Sequence, residues 1–380
     1  MTGRERLLCT LQRQIPDRVP IGLFVQEEFL AYFFPDRKKV DRVIEGTECA
    51  RILGFDIITR SHQFSVPYFL KKSYLNWEVE HKSEIKNGNL YNMVTIHTPK
   101  GTLKQVEGMP YNEKTSAGTH AATMEYLIKD ERDFEIFQKY IPKIDGKSIK
   151  EMKENAVQTQ KTIGDTGISA PWGWCGVYNV AATYRNLQDL LIDPYTNKDF
   201  YEAYMAMLTK LIVENTEYLA DTDFDCIGIQ GNIANSAMIG PEYFDRFILP
   251  YEKQVVDVIR NAGKYALYHN CGKAKVLQNS YVKLGVDIWE TIAEHPQGDN
   301  NLEEAKRLIG DKLILSGNLD QVEFLKKASL THIEERVAKI MHIGKPGGNY
   351  IFACSDYLER DTPLESIAKV IEVAKREGKY

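Results

Sequence analysis

Short apolar runs recur along the chain, each followed by a longer segment in which apolar residues return every three or four positions. The runs are "RVPIGLFV", "FDIITR", "GISAPWGWCG", "DCIGIQGN", "YALYHNCG", "VDIWETI", "KLILSGNLD" and "NYIFACSD". Their composition predicts strands, and the intervening spacing predicts amphipathic helices. "PEYFDRFILPYEKQVVDVIRNAG", for example, has helical spacing and ends on Gly263. Strands alternating with helices imply a parallel sheet, and eight such units imply a closed barrel. The expected fold class is therefore α/β, a (β/α)8 barrel formed by residues 1–380 as one domain. An open doubly wound sheet competes with it, but no Gly-rich phosphate loop follows the first run.

One stretch breaks the rhythm. Residues 77–108, "WEVEHKSEIKNGNLYNMVTIHTPKGTLKQVEG", alternate apolar and polar positions and carry turn signals at Asn87-Gly88 and Pro99-Lys100-Gly101. That pattern predicts a β-meander inserted after the second barrel strand. Asp193-Pro194 and Asp361-Thr362-Pro363 look like helix starts.

Composition narrows the function classes. Hydrophobic residues make up 43% and charged ones 27% of 380 residues, ordinary for a soluble globular protein. A net charge of −5 argues against a surface that tracks nucleic-acid phosphates. The N-terminal stretch lacks a signal peptide's apolar core, and no run of eighteen apolar residues is present. The six cysteines, Cys9, Cys49, Cys175, Cys226, Cys271 and Cys354, show no disulfide-framework spacing. A cytoplasmic, reducing location is expected, with thiolates free to bind metal.

Reactive residues fall where the predicted strands end, on the face that carries catalysis in a parallel barrel. Trp172 and Trp174 follow the third run, Gln230 and Asn232 the fourth, and His269 and Cys271 the fifth. Glu290 follows the sixth, Asn318 and Asp320 the seventh, and Cys354 and Asp356 the eighth. Residues two apart on a strand share a face, so His269 and Cys271 can aim at one centre, as can Cys354 and Asp356. An imidazole, a thiolate and a further thiolate or carboxylate, with one position open, is how a catalytic zinc is commonly held. A lone H-x-C is weak, since buried cysteines and hydrogen-bonded histidines are common. The second pair at another strand end tips the balance to a metal. Trp172, Trp174 and Tyr178 are candidates to line a pocket for a flat ligand, or to pack at a barrel rim. Gln230 and Asn232 are candidates to orient a substrate oxygen or to satisfy loop backbone. Glu290 is a candidate ligand or general acid, or the partner of a nearby cation.

With these motifs in place, the chain resembles the uroporphyrinogen decarboxylase-like superfamily along nearly its whole length. The matching stretches include "RVPIGLF", "IGPEYFDRFILPYEKQV", "HNCGK", "LGVDIWET", "LILSGNLDQ" and "NYIFACSDYLERDTPLESI". That superfamily holds porphyrin decarboxylases and zinc methyltransferases that work with corrinoid proteins. The decarboxylases carry an arginine-rich "RQAGR" segment after strand one that grips propionates. Here that place reads "FVQEEFL", with two glutamates, which opposes a tetra-anionic porphyrin. The methyltransferase branch is similar in having H-x-C after strand five and a third ligand after strand eight. Counting back from Thr362-Pro363 puts the family's third-ligand position on Asp356, with Cys354 two residues earlier, and both are carried.

The resemblance implies a zinc-dependent methyltransferase whose partners are a corrinoid-binding protein and a small-molecule methyl donor. A homodimer is allowed for. The aromatic-rich loop after the third run and the meander favour a flat donor, an aryl methyl ether, giving its methyl group to Co(I). Glu290 is then a candidate proton source for the leaving phenolate. The alternative is transfer from a methylcorrinoid to a thiol. Porphyrin decarboxylation and a non-catalytic binding subunit rank below both.

Overall fold

The computed structural model describes residues 1–61, 64, 67–111, 121–174 and 176–380, so Cys175 lies outside the described residues. The chain is α/β. Its strands are β1 (Ile57–Thr59), β2 (Glu78–Lys86), β3 (Asn89–Thr98), β4 (Gly101–Pro110), β5 (Ala122–Glu125), β6 (Gly167–Ser169), β7 (Cys226–Gln230), β8 (Tyr265–Asn270), β9 (Ile288–Thr291), β10 (Ile314–Leu319) and β11 (Tyr350–Cys354). Strands β7 to β11 form one parallel sheet in sequence order, and β1 pairs in parallel with β6.

Isolated bridges link these two sheets. Phe352 of β11 donates to Pro20 O at 2.9 Å and accepts from Gly22 N–H at 2.8 Å, while Asp56 N–H donates to Ile21 O at 2.8 Å. On the other side Gly228 of β7 exchanges bonds with the backbone of Pro171 and Gly173, at 2.9 and 3.1 Å. The first and third predicted runs are therefore mostly irregular. Prolines explain why: Pro20 and Pro171 have no N–H to give to a ladder, so pairing is reduced to single bridges there.

The side chains sort by strand parity. Ile58, Ile168, Ala170, Trp172, Cys226, Leu267, Ile288, Ile314 and Ile351 form one apolar cluster, closed at one end by Leu7 and Leu11. The latter belong to the helix Gly3–Leu11, held beneath the strands by Arg4, which pairs with Asp225 at 2.7 Å. The alternate residues, such as Ile227, Tyr268, Trp289, Leu315 and Phe352, pack outward into the larger cluster with the helices.

Strands β2 to β5 form a separate antiparallel sheet. Asn87 and Gly88 turn β2 into β3 with φ of 51° and 72°, a left-handed pair that suits the twist of a two-residue hairpin. Two helix expectations shift. Pro194 lies inside the helix Leu187–Thr196 rather than at its start, and Asp193 accepts from Arg185 instead. The segment before β8 is helical throughout but widens to π-type turns over Phe244–Ile248. Pro250 follows directly and has no N–H to complete the ordinary bond to residue 246, which accounts for the wide turn. No helix among the described residues is long and apolar enough to cross a membrane.

Candidate metal-binding site

His269, Cys271 and Asp356 come together: one imidazole nitrogen, the thiol sulfur and a carboxylate oxygen all lie within 4.8 Å of one another. Each is placed by local chemistry. His269 is on the inward row of β8, opposite Glu290 of β9 in register. Cys271 sits just past the strand, where Asn270 makes the turn: its Oδ1 accepts from Gly272 N–H at 3.0 Å and its Nδ2 donates to Tyr281 Oη at 2.8 Å. Asp356 lies beyond β11 on a loop fixed at both ends. Ser355 N–H donates to Leu319 O and Leu358 N–H to Phe24 O, each at 2.8 Å.

Cys354 stands apart from this group. It is paired with Leu319 in register, and both belong to the outward row packed on the helices. Burial pushes its thiol pKa up, and the charges of Asp320 and Asp356 add to that. Its side chain belongs to the helix-facing row, outside the group formed by His269, Cys271 and Asp356. The equivalence of Cys354 and Asp356 expected from two-residue spacing fails because the strand ends at Cys354, and the chain then turns.

Glu290 is fully occupied with orienting its neighbours. Its Oε1 lies 2.9 Å from Nδ1 of His269 and its Oε2 accepts from Arg60 at 2.6 Å, all three side chains being buried. Burial alone raises the Glu290 pKa, but the Arg60 charge and the His269 hydrogen bond outweigh it and bring it below the usual range. A carboxylate kept ionised in this way is placed as the hydrogen-bond partner of His269 and the ion-pair partner of Arg60. Because an ionised carboxylate only accepts, Nδ1 of His269 donates to Glu290, which leaves Nε2 as the nitrogen that would bind a metal in place of its own proton. Burial lowers the His269 pKa, yet Cys271, Glu290 and Asp356 together hold it well above its ordinary value. The cluster attracts positive charge.

The donor set fits zinc: one nitrogen, one sulfur and one oxygen, with the imidazole tautomer fixed from behind. Trp172 packs edge-on against His269, ring centroids 5.4 Å apart, and Arg60 lies over the Trp172 ring at 5.3 Å. Gln230 is the register partner of His269 on β7. The other expected substrate residues are elsewhere. Trp174 packs against Tyr68 and Phe69. Tyr178 is buried with its hydroxyl 3.5 Å from that of Tyr243. Asn232 accepts from Asn179 at 2.7 Å, bracing its own loop. Arg60 and Asn270 were not singled out by sequence reasoning; a lone arginine ending "FDIITR" gave no signal beyond its strand-end position.

Residues 117–377 match the model of the uroporphyrinogen decarboxylase (URO-D) family, and the chain belongs to that family. Within it, the chain is similar over its whole length to a methylcobamide:CoM methyltransferase, MtbA, of Methanosarcina acetivorans, 22% identical with 98% of each chain covered. The uroporphyrinogen decarboxylase of Aliarcobacter butzleri is 23% identical over 61% of this chain and 64% of its own. Among solved structures, a methyltransferase from Methanosarcina mazei shares the fold, with a TM-score of 0.68, 14% identity and 99% of both chains covered.

Proposed function

We propose that the protein is a zinc-dependent methyltransferase that moves a methyl group from a methylcorrinoid, carried by a partner protein, to a small thiol. The observation that carries this reading is the convergence of His269, Cys271 and Asp356, backed by Glu290 and Arg60. Full-length similarity to a methylcobamide:CoM methyltransferase supports the thiol direction. The run of parallel pairings from β11 through residue 21, β1, β6 and Trp172 to β7 supports a closed (β/α)8 barrel with the site at its mouth. The antiparallel β2–β4 supports reading residues 77–108 as a meander inserted into a single 1–380 unit.

Bound by His269, Cys271 and Asp356, zinc supplies the Lewis acidity that keeps a thiol's sulfur anionic near neutral pH. The chain does the rest. Glu290 accepts a hydrogen bond from Nδ1–H of His269 and so fixes which nitrogen faces the donors. Arg60 holds Glu290 ionised. Trp172 packs edge-on against the imidazole. In the net reaction the sulfur forms a bond to the methyl carbon and the thiol proton passes to solvent. The methyl–cobalt bond breaks, and its electron pair takes cobalt from Co(III) to Co(I).

The reverse direction, from an aryl methyl ether to Co(I), is the second reading. Asp356 favours it, since an oxygen donor makes a harder site suited to a leaving oxygen. Against it, Trp174 and Tyr178 do not gather at His269, so the aromatic wall it called for reduces to Trp172. The test uses zinc-loaded protein with free methylcobalamin and a panel of thiols, and separately cob(I)alamin with methoxylated aromatics. Loss of the methyl–cobalt absorbance with thiols supports the first reading. Its appearance with ethers and no thiol methylation would establish the second.

A further inference from the structure

A row of aromatic rings runs outward from the metal-binding cluster. Trp172 meets His269 with centroids 5.4 Å apart, Phe24 meets Trp172 at 6.4 Å, and Tyr357 meets Phe24 at 6.1 Å, each pair edge to face. Exposure rises along the row. Trp172 is 2% exposed, whereas Phe24 and Tyr357 are both partly exposed.

Local bonds put the two outer rings there. The run "RVPIGLFV" lies against β11, where Gly22 N–H donates to Phe352 O at 2.8 Å. Leu358 N–H donates to Phe24 O at 2.8 Å, which ties the loop carrying Tyr357 to Phe24. Arg60 lies over both Phe24 and Trp172, 5.7 and 5.3 Å from their centroids. Anchored on Glu290 at 2.6 Å, its guanidinium holds those two rings in place.

The row borders the open side of the cluster. His269 is buried, while Cys271 and Asp356 are partly exposed, so a molecule arriving from solvent meets the donors on their side. Tyr357 follows Asp356 directly in the chain, and its hydroxyl lies within the field of Asp356 and Cys271. Neither Phe24 nor Tyr357 has a part in the mechanism above.

We propose that Phe24 and Tyr357 set acceptor specificity: the thiol carries an aromatic ring that packs against them while its sulfur joins the three donors. This rests on the thiol reading above. A ring on the acceptor extends the edge-to-face row by one member, a contact that a short aliphatic thiol cannot make. The wall bears on the body of the bound molecule and not on the direction of methyl transfer.

The experiment is calorimetric titration of the zinc-loaded full chain, without corrinoid, with phenylmethanethiol and ethanethiol. Contact with two rings corresponds to about tenfold, so phenylmethanethiol is expected to bind about tenfold more tightly. Tyr357→Ala and Phe24→Leu should each cut that preference by about threefold, with the affinity for ethanethiol unchanged. Tyr357→Phe keeps the ring and should keep the preference. Tyr357→Ala should also retain full zinc by elemental analysis, and, being a change at a partly exposed residue, it stands in if the Phe24 variant does not fold. If neither thiol binds zinc-loaded protein more tightly than zinc-free protein, the thiol reading falls and this proposal with it. If both bind through zinc but the preference is the same in wild type and in Tyr357→Ala, the thiol reading stands and this proposal alone is overturned. Loss of the preference in Tyr357→Phe, or of zinc from Tyr357→Ala, would overturn it as well.

Discussion

Nδ1 of His269 and Oε1 of Glu290 are 2.9 Å apart, and Arg60 holds the other oxygen of the same carboxylate. This chain of three buried groups fixes the imidazole before any metal arrives. Removing the carboxylate's charge in Glu290→Gln should lower zinc affinity by about 10–100-fold while the fold persists. Competition with a chromophoric chelator measures it. Unchanged affinity would mean that the tautomer is set by something other than Glu290. Arg60→Met is expected to be harsher, because it leaves Glu290 buried without its cation at a cost of about 3–5 kcal/mol.

Third-ligand identity gives a sharp contrast between two residues two positions apart. Asp356→Ala should strip the site of stoichiometric zinc, as should His269→Ala and Cys271→Ala. Cys354→Ser should retain the metal, because its side chain faces the helix layer. It should instead cost stability, since the hydroxyl is buried among apolar neighbours that offer it no partner. Elemental analysis of the purified variants distinguishes the cases, and zinc lost from Cys354→Ser alone would reverse the assignment.

Much of this was written in the sequence. Short apolar runs between helical segments marked the parallel strands, and H-x-C at a strand end picked out two of the three clustered donors. Rules of strand parity work only while the strand lasts, however. They are valid for His269, inside β8, and mislead for Cys354 and Asp356, which straddle the end of β11. The same limit governs Trp174 and Tyr178: beyond β6 the pairing is reduced to single backbone bonds at Trp172, Gly173 and Gly176, and these two aromatics pack in the helix layer while Trp172 meets His269. Arg60 and Glu290 are 230 positions apart, and only the fold brings them together.

Gly228 on β7 makes Trp172's position possible. A Cβ at residue 228 would stand 2.5 Å from Cε3 of the Trp172 ring, too close for any carbon pair. Gly228→Ala must therefore push the indole away, with an overpacking cost of about 1–3 kcal/mol. Zinc content should hold while methyl transfer falls, because the donors are untouched and the ring packed on His269 is displaced. Denaturant midpoints and transfer rates measured on the same preparation test both halves. Wild-type activity would show that Trp172 has no part in the site.

Glu252, outside the His269–Cys271–Asp356 cluster, provides a separate pH dependence. It is wholly buried, and Tyr178 N–H at the start of the helix Val177–Tyr184 donates to its Oε1 at 3.1 Å, while Oε2 has no partner among the described residues. Burial raises its pKa to about 7, the backbone N–H groups of Tyr178 and Val177 only partly offsetting it. The folded state thus binds a proton that the unfolded chain, with an ordinary carboxyl near 4.5, has already released. Stability from this group is full below pH 4.5 and is lost as pH rises to about 7, after which it is flat. The difference amounts to roughly 3 kcal/mol. Glu252→Gln keeps an acceptor for Tyr178 N–H and cannot ionise, so its stability should be level across the same window. Urea midpoints at pH 5, 6, 7 and 8 should therefore fall for the native protein relative to the variant, with the variant gaining its advantage at pH 8. Taking the difference between the two proteins at each pH cancels the titration of His269 and its neighbours, which both share. Parallel curves would show that Glu252 keeps the same protonation state across the window, and that the helix start at Val177 is insensitive to pH.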